Sequence, residues 1–126
     1  MAPLTITRLD VHLQNASVPC IRIGRAPGDE NKLLYKDRKV SRRHCRIGIR
    51  DDGWCGIFDE GGKTGTYLNG VRISRSIHGF RIARGDRITL GNPRKRHHLI
   101  RINSIRISER FEPRVEKFEQ IANQSF

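Results

Sequence analysis

The sequence predicts an all-β domain, an antiparallel β-sandwich of about ten to eleven strands followed by a short C-terminal helix. Residues 4–107 form short stretches of alternating or β-branched residues separated by turn signals, which is the pattern of antiparallel sheets. No apolar spacing typical of a helix occurs in this span. The chain has 126 residues, a length that fits one domain with a single buried core. So many short strands in this length indicate two stacked sheets.

The first half of the chain supplies three strands that differ in regularity. Apolar residues within 6–13 are unevenly spaced, so the first strand is expected to be irregular, and residues 18–24 form a second strand. Cys45, Ile47 and Ile49 recur at every second position of a third. Because side chains alternate along a strand, this third strand is predicted to bury one face.

The second half is organised by its turns. Residues 54–58 make a partner for the third strand after an Asp-Asp-Gly turn. Asn69-Gly70 stands between two apolar pairs, which is a strong hairpin signal. Residues 87–90 and 99–102 are predicted to close the sandwich, since the Gly-Asn-Pro sequence between them breaks the chain.

The C-terminal segment differs in character from the rest. Pro113 suits a first helical turn, and Val115 and Phe118 begin an apolar pattern with helical spacing. We therefore divide the chain into a sandwich domain, residues 1–107, and a helical tail or linker, residues 108–126. The helix is expected to pack on the sandwich or to begin a linker; the alternative is a helix dedicated to binding a partner.

The charge points to an anionic partner. The chain has 25 Lys and Arg against 13 Asp and Glu, a formal net charge of +12. Long-range attraction does not distinguish nucleic acid, anionic lipid and phosphorylated or acidic protein. The apolar runs are far shorter than the roughly 18 residues of a membrane span. The N-terminus has no basic stretch followed by an apolar run, so a cytoplasmic location is expected.

The cysteines argue against a disulfide or zinc framework. Cys20, Cys45 and Cys55 are odd in number and have no C-x-x-C spacing. They are predicted to be reduced and mostly buried. Trp54 and Phe58 are further candidates for the core.

Four turn-like segments hold polar residues that strand patterning does not explain. They are Gly24-Arg25, residues 41–44, residues 61–66 and Asn69-Gly70. Loops at one end of a sandwich converge, so these segments are expected to build one site. Arginine forks, hydroxyls and glycine-flanked backbone N–H groups suit the capture of an anion, which needs no general base.

The ordered set of these segments resembles the forkhead-associated domains, a family that recognises phosphothreonine in partner proteins. The family pattern is a Gly-Arg at a strand end, then S-x-x-H, then N-G-T with a following N-G, and finally G-D-x-I-x-L-G. The matching residues here, in the same order and spacing, are Gly24-Arg25, Ser41-Arg42-Arg43-His44, Thr64-Gly65-Thr66, Asn69-Gly70 and residues 85–91. Each piece alone is weak, but the set across most of residues 4–103 is specific.

The resemblance implies a role for each matching residue. Arg25 and Ser41 would bind the phosphate directly, and Arg42 would add a contact. Scaffold roles, which shape the site without touching phosphate, fall to Gly24, His44, Gly65, Asn69 and Gly70.

The sequence departs from the family pattern at Thr64. The family usually has an asparagine there, whose side-chain amide grips the main chain of the phosphopeptide with a donor and an acceptor. Threonine has only a hydroxyl, so peptide affinity or selectivity is expected to differ. Lys63, next to it, is a candidate to compensate with positive charge.

Two other interpretations of the polar residues are weaker. Ser41 and His44 together suggest a hydrolase, but no G-x-S-x-G elbow is present. His97-His98 beside the basic run 94–96 suggests a metal or nucleic-acid patch. Adjacent strand residues face opposite ways, so no shared metal is expected, and the basic run is interpreted as a solvated turn.

The function predicted is therefore a non-enzymatic phosphothreonine-dependent protein interaction module in signalling or regulation. Its partner would be a phosphothreonine-containing protein or peptide, with other domains of a longer parent protein as a further possibility. No cofactor, metal or small-molecule substrate is expected. The alternative is a domain of the same fold in which Thr64 has weakened peptide binding and the basic surface binds nucleic acid or anionic membrane.

Overall fold

The computed structural model describes residues 2–14, 20–26, 28 and 32–108. Within these ranges the chain forms ten strands and no helix, so the predicted all-β sandwich is confirmed. The predicted C-terminal helix lies outside the described residues. The part of the chain that is described contains no helix long and apolar enough to cross a membrane.

The ten strands form two five-stranded sheets. The strands are β1 (Thr5–Gln14), β2 (Cys20–Gly24), β3 (Lys32–Leu34), β4 (Cys45–Ile49), β5 (Cys55–Asp59), β6 (Thr66–Leu68), β7 (Val71–Arg72), β8 (Phe80–Arg81), β9 (Arg87–Leu90) and β10 (His98–Ser108). The first sheet has the order β1-β10-β9-β6-β7, and the second has the order β3-β2-β4-β5-β8. Both sheets contribute buried side chains to one core between them.

Two strand pairs depart from the antiparallel arrangement predicted for the sandwich. Strand β1 runs parallel to β10, and β2 runs parallel to β3. Strands β1 and β10 stand at opposite ends of the described chain, so no tight turn dictates their relative direction. Strands β3 and β8 were not predicted, because they are too short to show an alternation and no Asn-Gly turn marks them as it marks β6 and β7.

Local sequence signals gave the other features correctly. The irregularity predicted for the first strand is a register shift between Leu9 and Asp10, where β10 contributes one extra residue. The predicted hairpin joins β6 to β7. Asn69 and Gly70 both have positive φ, 51° and 86°, as a two-residue turn of the primed type requires.

Burial follows the predicted alternation in β4. Cys45 and Ile47 have no exposed surface, whereas Ile49 is half-buried at the margin of the core. The three cysteines are free and buried, as predicted. Burial raises the pKa of the Cys45 and Cys55 thiols, so these two side chains remain protonated and act as small apolar residues.

The two aromatic core candidates have different surroundings. The indole of Trp54 packs at the edge of the core and donates from Nε1 to the Ile82 carbonyl at 2.9 Å. Phe58 is buried but faces outward, because Ile57 beside it fills the core. The Arg46 guanidinium covers the Phe58 ring at 4.0 Å from its centroid.

Candidate functional site

One end of the sandwich brings together three polar segments from separate parts of the sequence. Arg25 follows β2, Ser41 precedes β4, and the segment at residues 61–65 joins β5 to β6. The Arg25 backbone N–H donates to the Ser41 carbonyl at 2.9 Å. The Arg25 side chain donates from Nε to the Val40 carbonyl at 3.1 Å. These two hydrogen bonds therefore hold both the backbone of Arg25 and the Nε end of its guanidinium against the Ser41 loop.

The close approach of these two segments depends on Gly24. A Cβ at this position would lie 2.1 Å from the backbone oxygen of Arg42, a distance at which atoms cannot coexist. The Ala26 N–H also donates to the Arg42 carbonyl at 3.2 Å. The chain after β2 is thus laid directly on the backbone of the Ser41 loop, and only glycine leaves the space for it.

Ser41 is held at both its backbone and its side chain. Its N–H donates to Nδ1 of His44 at 3.1 Å, and its Oγ accepts from the Lys63 N–H at 2.9 Å. Since the Oγ lone pair receives this donor, the hydroxyl proton remains available for an acceptor outside the domain. Ser41 is partly exposed, so such an acceptor has access to it.

His44 is the buried centre that ties the loops together. It has no exposed surface. Its Nδ1 accepts from Ser41, so its Nε2 carries the proton and donates to the Gly65 carbonyl at 2.9 Å. Burial lowers the pKa of His44, which keeps the ring neutral. Gly62 packs on the ring so closely that a Cβ there would lie 2.3 Å from Nε2.

The hydroxyl of Thr64 is bonded within the domain. Its Oγ1 donates to the Lys39 carbonyl at 3.0 Å. This is the only polar proton of the side chain, so the Thr64 side chain retains acceptor capacity alone toward any ligand. The neighbouring Lys63 is exposed, and its backbone N–H is the group bonded to Ser41.

The Asn69-Gly70 turn does not join this cluster. The structure places it at the opposite end of β6 from Gly65, so the expected convergence of all four segments was wrong for this one. Asn69 instead fixes the turn to β9. Its Nδ2 donates to Asp86 Oδ1 at 3.1 Å, and its Oδ1 accepts from the Arg87 N–H at 2.9 Å.

A basic cleft of about 460 Å³ adjoins Lys63 and Thr64, and sequence reasoning missed it. Its basic lining side chains come from four segments, and they are Lys39, Lys63, Arg72, Lys95 and Arg96. The basic run 94–96 is an exposed turn, as interpreted, and two of its residues also line this cleft. No sequence signal singled out Lys39, because it precedes the S-x-x-H pattern and belongs to no motif.

The two adjacent histidines have separate partners. His97 bonds through Nδ1 with the Lys95 carbonyl at 2.6 Å, whereas His98 bonds through Nε2 with Asp37 at 2.8 Å and through Nδ1 with Thr5 at 2.9 Å. Among the residues described, no three histidine, cysteine or acidic side chains are grouped so as to hold a metal ion.

At its loop end the sandwich presents an arginine held by backbone carbonyls and a serine held by a buried histidine, and this arrangement defines a class of binding domain. The model of the FHA domain family matches residues 21–91 of this chain. This match covers more than half of the chain, and the protein belongs to the FHA domain family.

Individual proteins show the same likeness. The chain is 30% identical over 82 residues to the probable E3 ubiquitin-protein ligase dma1 of Schizosaccharomyces pombe, covering 63% of this chain but 30% of that protein. The chain thus spans less than a third of the curated relative it matches.

Among solved structures, an engineered FHA domain with a Myc-pTBD peptide is 26% identical, with a TM-score of 0.51. The match covers 68% of this chain and 65% of that one. The N-terminal FHA domain of Rad53p from S. cerevisiae, in complex with a phosphothreonine peptide, is 28% identical with a TM-score of 0.48. That match covers 57% of this chain and 56% of the other.

Proposed function

We propose that this domain binds a phosphothreonine-containing segment of a partner protein at its loop end, and that Arg25, Ser41 and Arg42 bind the phosphate. The observation that carries the proposal is the 2.9 Å hydrogen bond from the Arg25 N–H to the Ser41 carbonyl. It holds together the backbones of two segments 16 positions apart, which supports a common site for the guanidinium and the hydroxyl that they carry. Membership of the FHA family supports the same assignment.

The donors left over at this place suit a phosphate. With Nε bonded to Val40, the two terminal nitrogens of Arg25 are the part of the fork that reaches a ligand. The Ser41 hydroxyl adds a neutral donor, and the exposed Arg42 adds a second cation. Arginine-to-phosphate bonds are charge-assisted and stronger than neutral ones. A phosphothreonine brings about −1.5 to −2 charges to these groups near neutral pH.

We propose binding rather than catalysis for this site. A serine hydrolase needs a histidine nitrogen free to take the serine hydroxyl proton. Both ring nitrogens of His44 are bonded to backbone groups, and neither faces the Ser41 hydroxyl. Ubiquitin ligase activity is named only for the fission yeast relative, and this chain covers only 30% of the length of that protein.

The part of the site that contacts the rest of the peptide is less well supplied. Lys63 and Thr64, the two candidate peptide contacts, form what we call the peptide half; Arg25, Ser41 and Arg42 form the phosphate half. An asparagine in place of Thr64 would offer both a donor and an acceptor to a peptide backbone. The Thr64 side chain offers only an acceptor, because its hydroxyl proton is donated to the Lys39 carbonyl.

An oriented phosphothreonine peptide library tests the proposal most directly. Wild-type protein should select peptides that keep the phosphate and should bind unphosphorylated versions negligibly. Arg25→Ala should weaken the selected peptide at least about tenfold, since a hydrogen bond to a charged group contributes roughly 1.5–3 kcal/mol. Arg84→Ala removes an exposed arginine in the turn before β9 and should leave the affinity unchanged. Equal binding of phosphorylated and unphosphorylated peptides would refute the proposal.

A further inference from the structure

The outer face of the first sheet carries three arginines directly side by side. Strand register pairs Arg8 with Arg101 and Arg101 with Arg87. All three are exposed. Arg87 and Arg101 point away from the core, because Ile88 and Ile100, their neighbours along β9 and β10, are completely buried and strand side chains alternate. Arg8 is paired with Arg101 and lies on the same face. We call Arg8, Arg87 and Arg101 the arginine row.

The arginine row has no acidic partner in the described part of the chain. The ion pairs found there all involve other residues. The acid closest along β1, Asp10, accepts instead from Asn103 at 2.8 Å and from Ser104 at 2.7 Å. Like charges directly opposite one another on a sheet oppose folding. A bound ligand that supplies negative charge would relieve this repulsion.

The geometry of the row indicates an extended ligand. Neighbouring strands lie about 4.8 Å apart, so the three backbone positions span about 10 Å across an open sheet face. A single phosphate group is narrower than this surface and would leave part of it uncovered. Farther along the same face Arg106 stands beside His12, with Nη2 and Nδ1 3.5 Å apart, which continues the basic surface along the strands. A chain of regularly spaced anions matches this arrangement.

The residue types on this face favour a nucleic acid over a membrane surface. Strands β1, β9 and β10 contain no lysine, and their cations are arginines and histidines. The planar guanidinium bonds phosphates with two parallel donors and also stacks on bases, which the lysine ammonium cannot do. Ile6 is the one large apolar residue strongly exposed on these three strands within the described ranges, at 60%. That is too little apolar surface for insertion into a bilayer.

We propose that the outer face of the first sheet binds nucleic acid through its phosphate backbone, with the arginine row at the centre. This activity is separate from phosphopeptide binding at the loop end and does not depend on it. The ligand is recognised by charge and spacing, so little sequence preference is expected.

The test is a binding titration of the full chain with fluorescent oligonucleotides at several salt concentrations. Single-stranded DNA, single-stranded RNA and duplex DNA serve as separate probes. Replacing the arginine row by glutamine should weaken binding at least about tenfold. It should also lower the slope of log affinity against log salt by about 2 for a single strand or by about 2.7 for a duplex.

A matched control removes three charges from elsewhere. Lys32, Lys36 and Arg84 are exposed and lie outside the three strands of the arginine row. Replacing them by glutamine gives the same net charge and should retain most of the affinity. Equal losses in the two triple variants would overturn the proposal, because binding would then follow net charge and not this face.

Three further readouts keep the result independent of the stability of the triple variant. Arg101→Gln alone should weaken binding, and Asp10→Asn should strengthen it, because it removes the negative charge on this face. Arg25→Ala should leave oligonucleotide affinity unchanged; a loss there would place the ligand at the loop end and refute the proposal. Binding to phosphatidylserine vesicles with none to oligonucleotides would refute it as well.

Discussion

The phosphate half and the peptide half of the loop-end site differ in how their polar groups are used within the domain. In the phosphate half, backbone hydrogen bonds hold Arg25 and Ser41 but leave their terminal donors free. In the peptide half, the single side-chain donor of Thr64, its hydroxyl, is already bonded to the Lys39 carbonyl. Hydrogen bonds from the surrounding loop therefore strengthen a site only where they leave the ligand-contacting atoms of its residues unbonded.

Gly24→Ala tests the support of the phosphate half and should have the largest effect. The added methyl would meet the Arg42 backbone oxygen at 2.1 Å, so β2 and the Ser41 loop must separate. Overpacking of this kind costs about 1–3 kcal/mol of unfolding free energy. Urea unfolding and calorimetry with a phosphopeptide should show losses of both stability and affinity.

Gly85→Ala is the control for this change. Its methyl meets no atom within 4 Å, but its φ of 92° is strained for alanine. It should lower stability and leave the affinity of the folded protein intact. If Gly24→Ala behaved in the same way, the close approach of the two segments would not matter for binding.

Ser41→Ala tests the binding atoms of the phosphate half. It removes a donor to the phosphate, worth roughly 1.5–3 kcal/mol, and also the acceptor of the Lys63 N–H. Calorimetry should show affinity reduced about tenfold or more. Ser74→Ala, at an exposed position, should have no effect. Unchanged affinity for Ser41→Ala would remove the hydroxyl from the site.

Thr64→Asn tests the peptide half and should have a smaller effect of opposite sign. The amide restores a donor as well as an acceptor, and a net hydrogen bond contributes about 0.5–1.5 kcal/mol. Phosphopeptide affinity should rise by up to about tenfold, as measured by calorimetry. Thr64→Val keeps the shape without the hydroxyl and should not gain affinity. A loss of affinity in Thr64→Asn would contradict this comparison, because it would show that Thr64 does not weaken the peptide half.

The pH dependence of stability should show the smallest effect, and it reports on His44. Burial lowers the pKa of His44 in the folded state below its usual value of about 6.5. The unfolded chain therefore takes up the proton first as pH falls. The stability contributed by the neutral ring is complete above pH 6.5 and decreases below it.

Urea unfolding at pH 7.5, 6.5 and 5.5 measures this trend. His44→Gln should flatten the dependence, whereas His12→Gln, which removes an exposed histidine, should preserve it. An unchanged slope in His44→Gln would show that another group carries the pH dependence.

Much of the fold could be read from local sequence because its causes are local. The alternation in β4 and the Asn69-Gly70 turn depend on neighbouring residues, and both were predicted correctly. The short strands β3 and β8 were missed because their pairing, and not their composition, makes them strands.

The sequence identified the candidate residues of the site but not the hydrogen bonds that join them. The motif order named Arg25, Ser41 and His44, whereas the use of the Thr64 proton by Lys39 links positions 25 residues apart. Gly62 and Lys39 belong to no part of the family pattern. The sequence therefore did not show that Gly62 packs against His44 or that Lys39 lines the cleft.

The sequence by itself determined eight of the ten strands, the turns and the types of residue that serve an anion, because these depend on side-chain chemistry and on neighbours along the chain. Tertiary structure alone decided the parallel pairing of β1 with β10 and the outward position of Phe58. It also decided the arginine row, since Arg8 and Arg101 become neighbours only through cross-strand register. Strands that no tight turn joins pair residues far apart in sequence, and no local pattern encodes which strand is the partner or in which direction it runs.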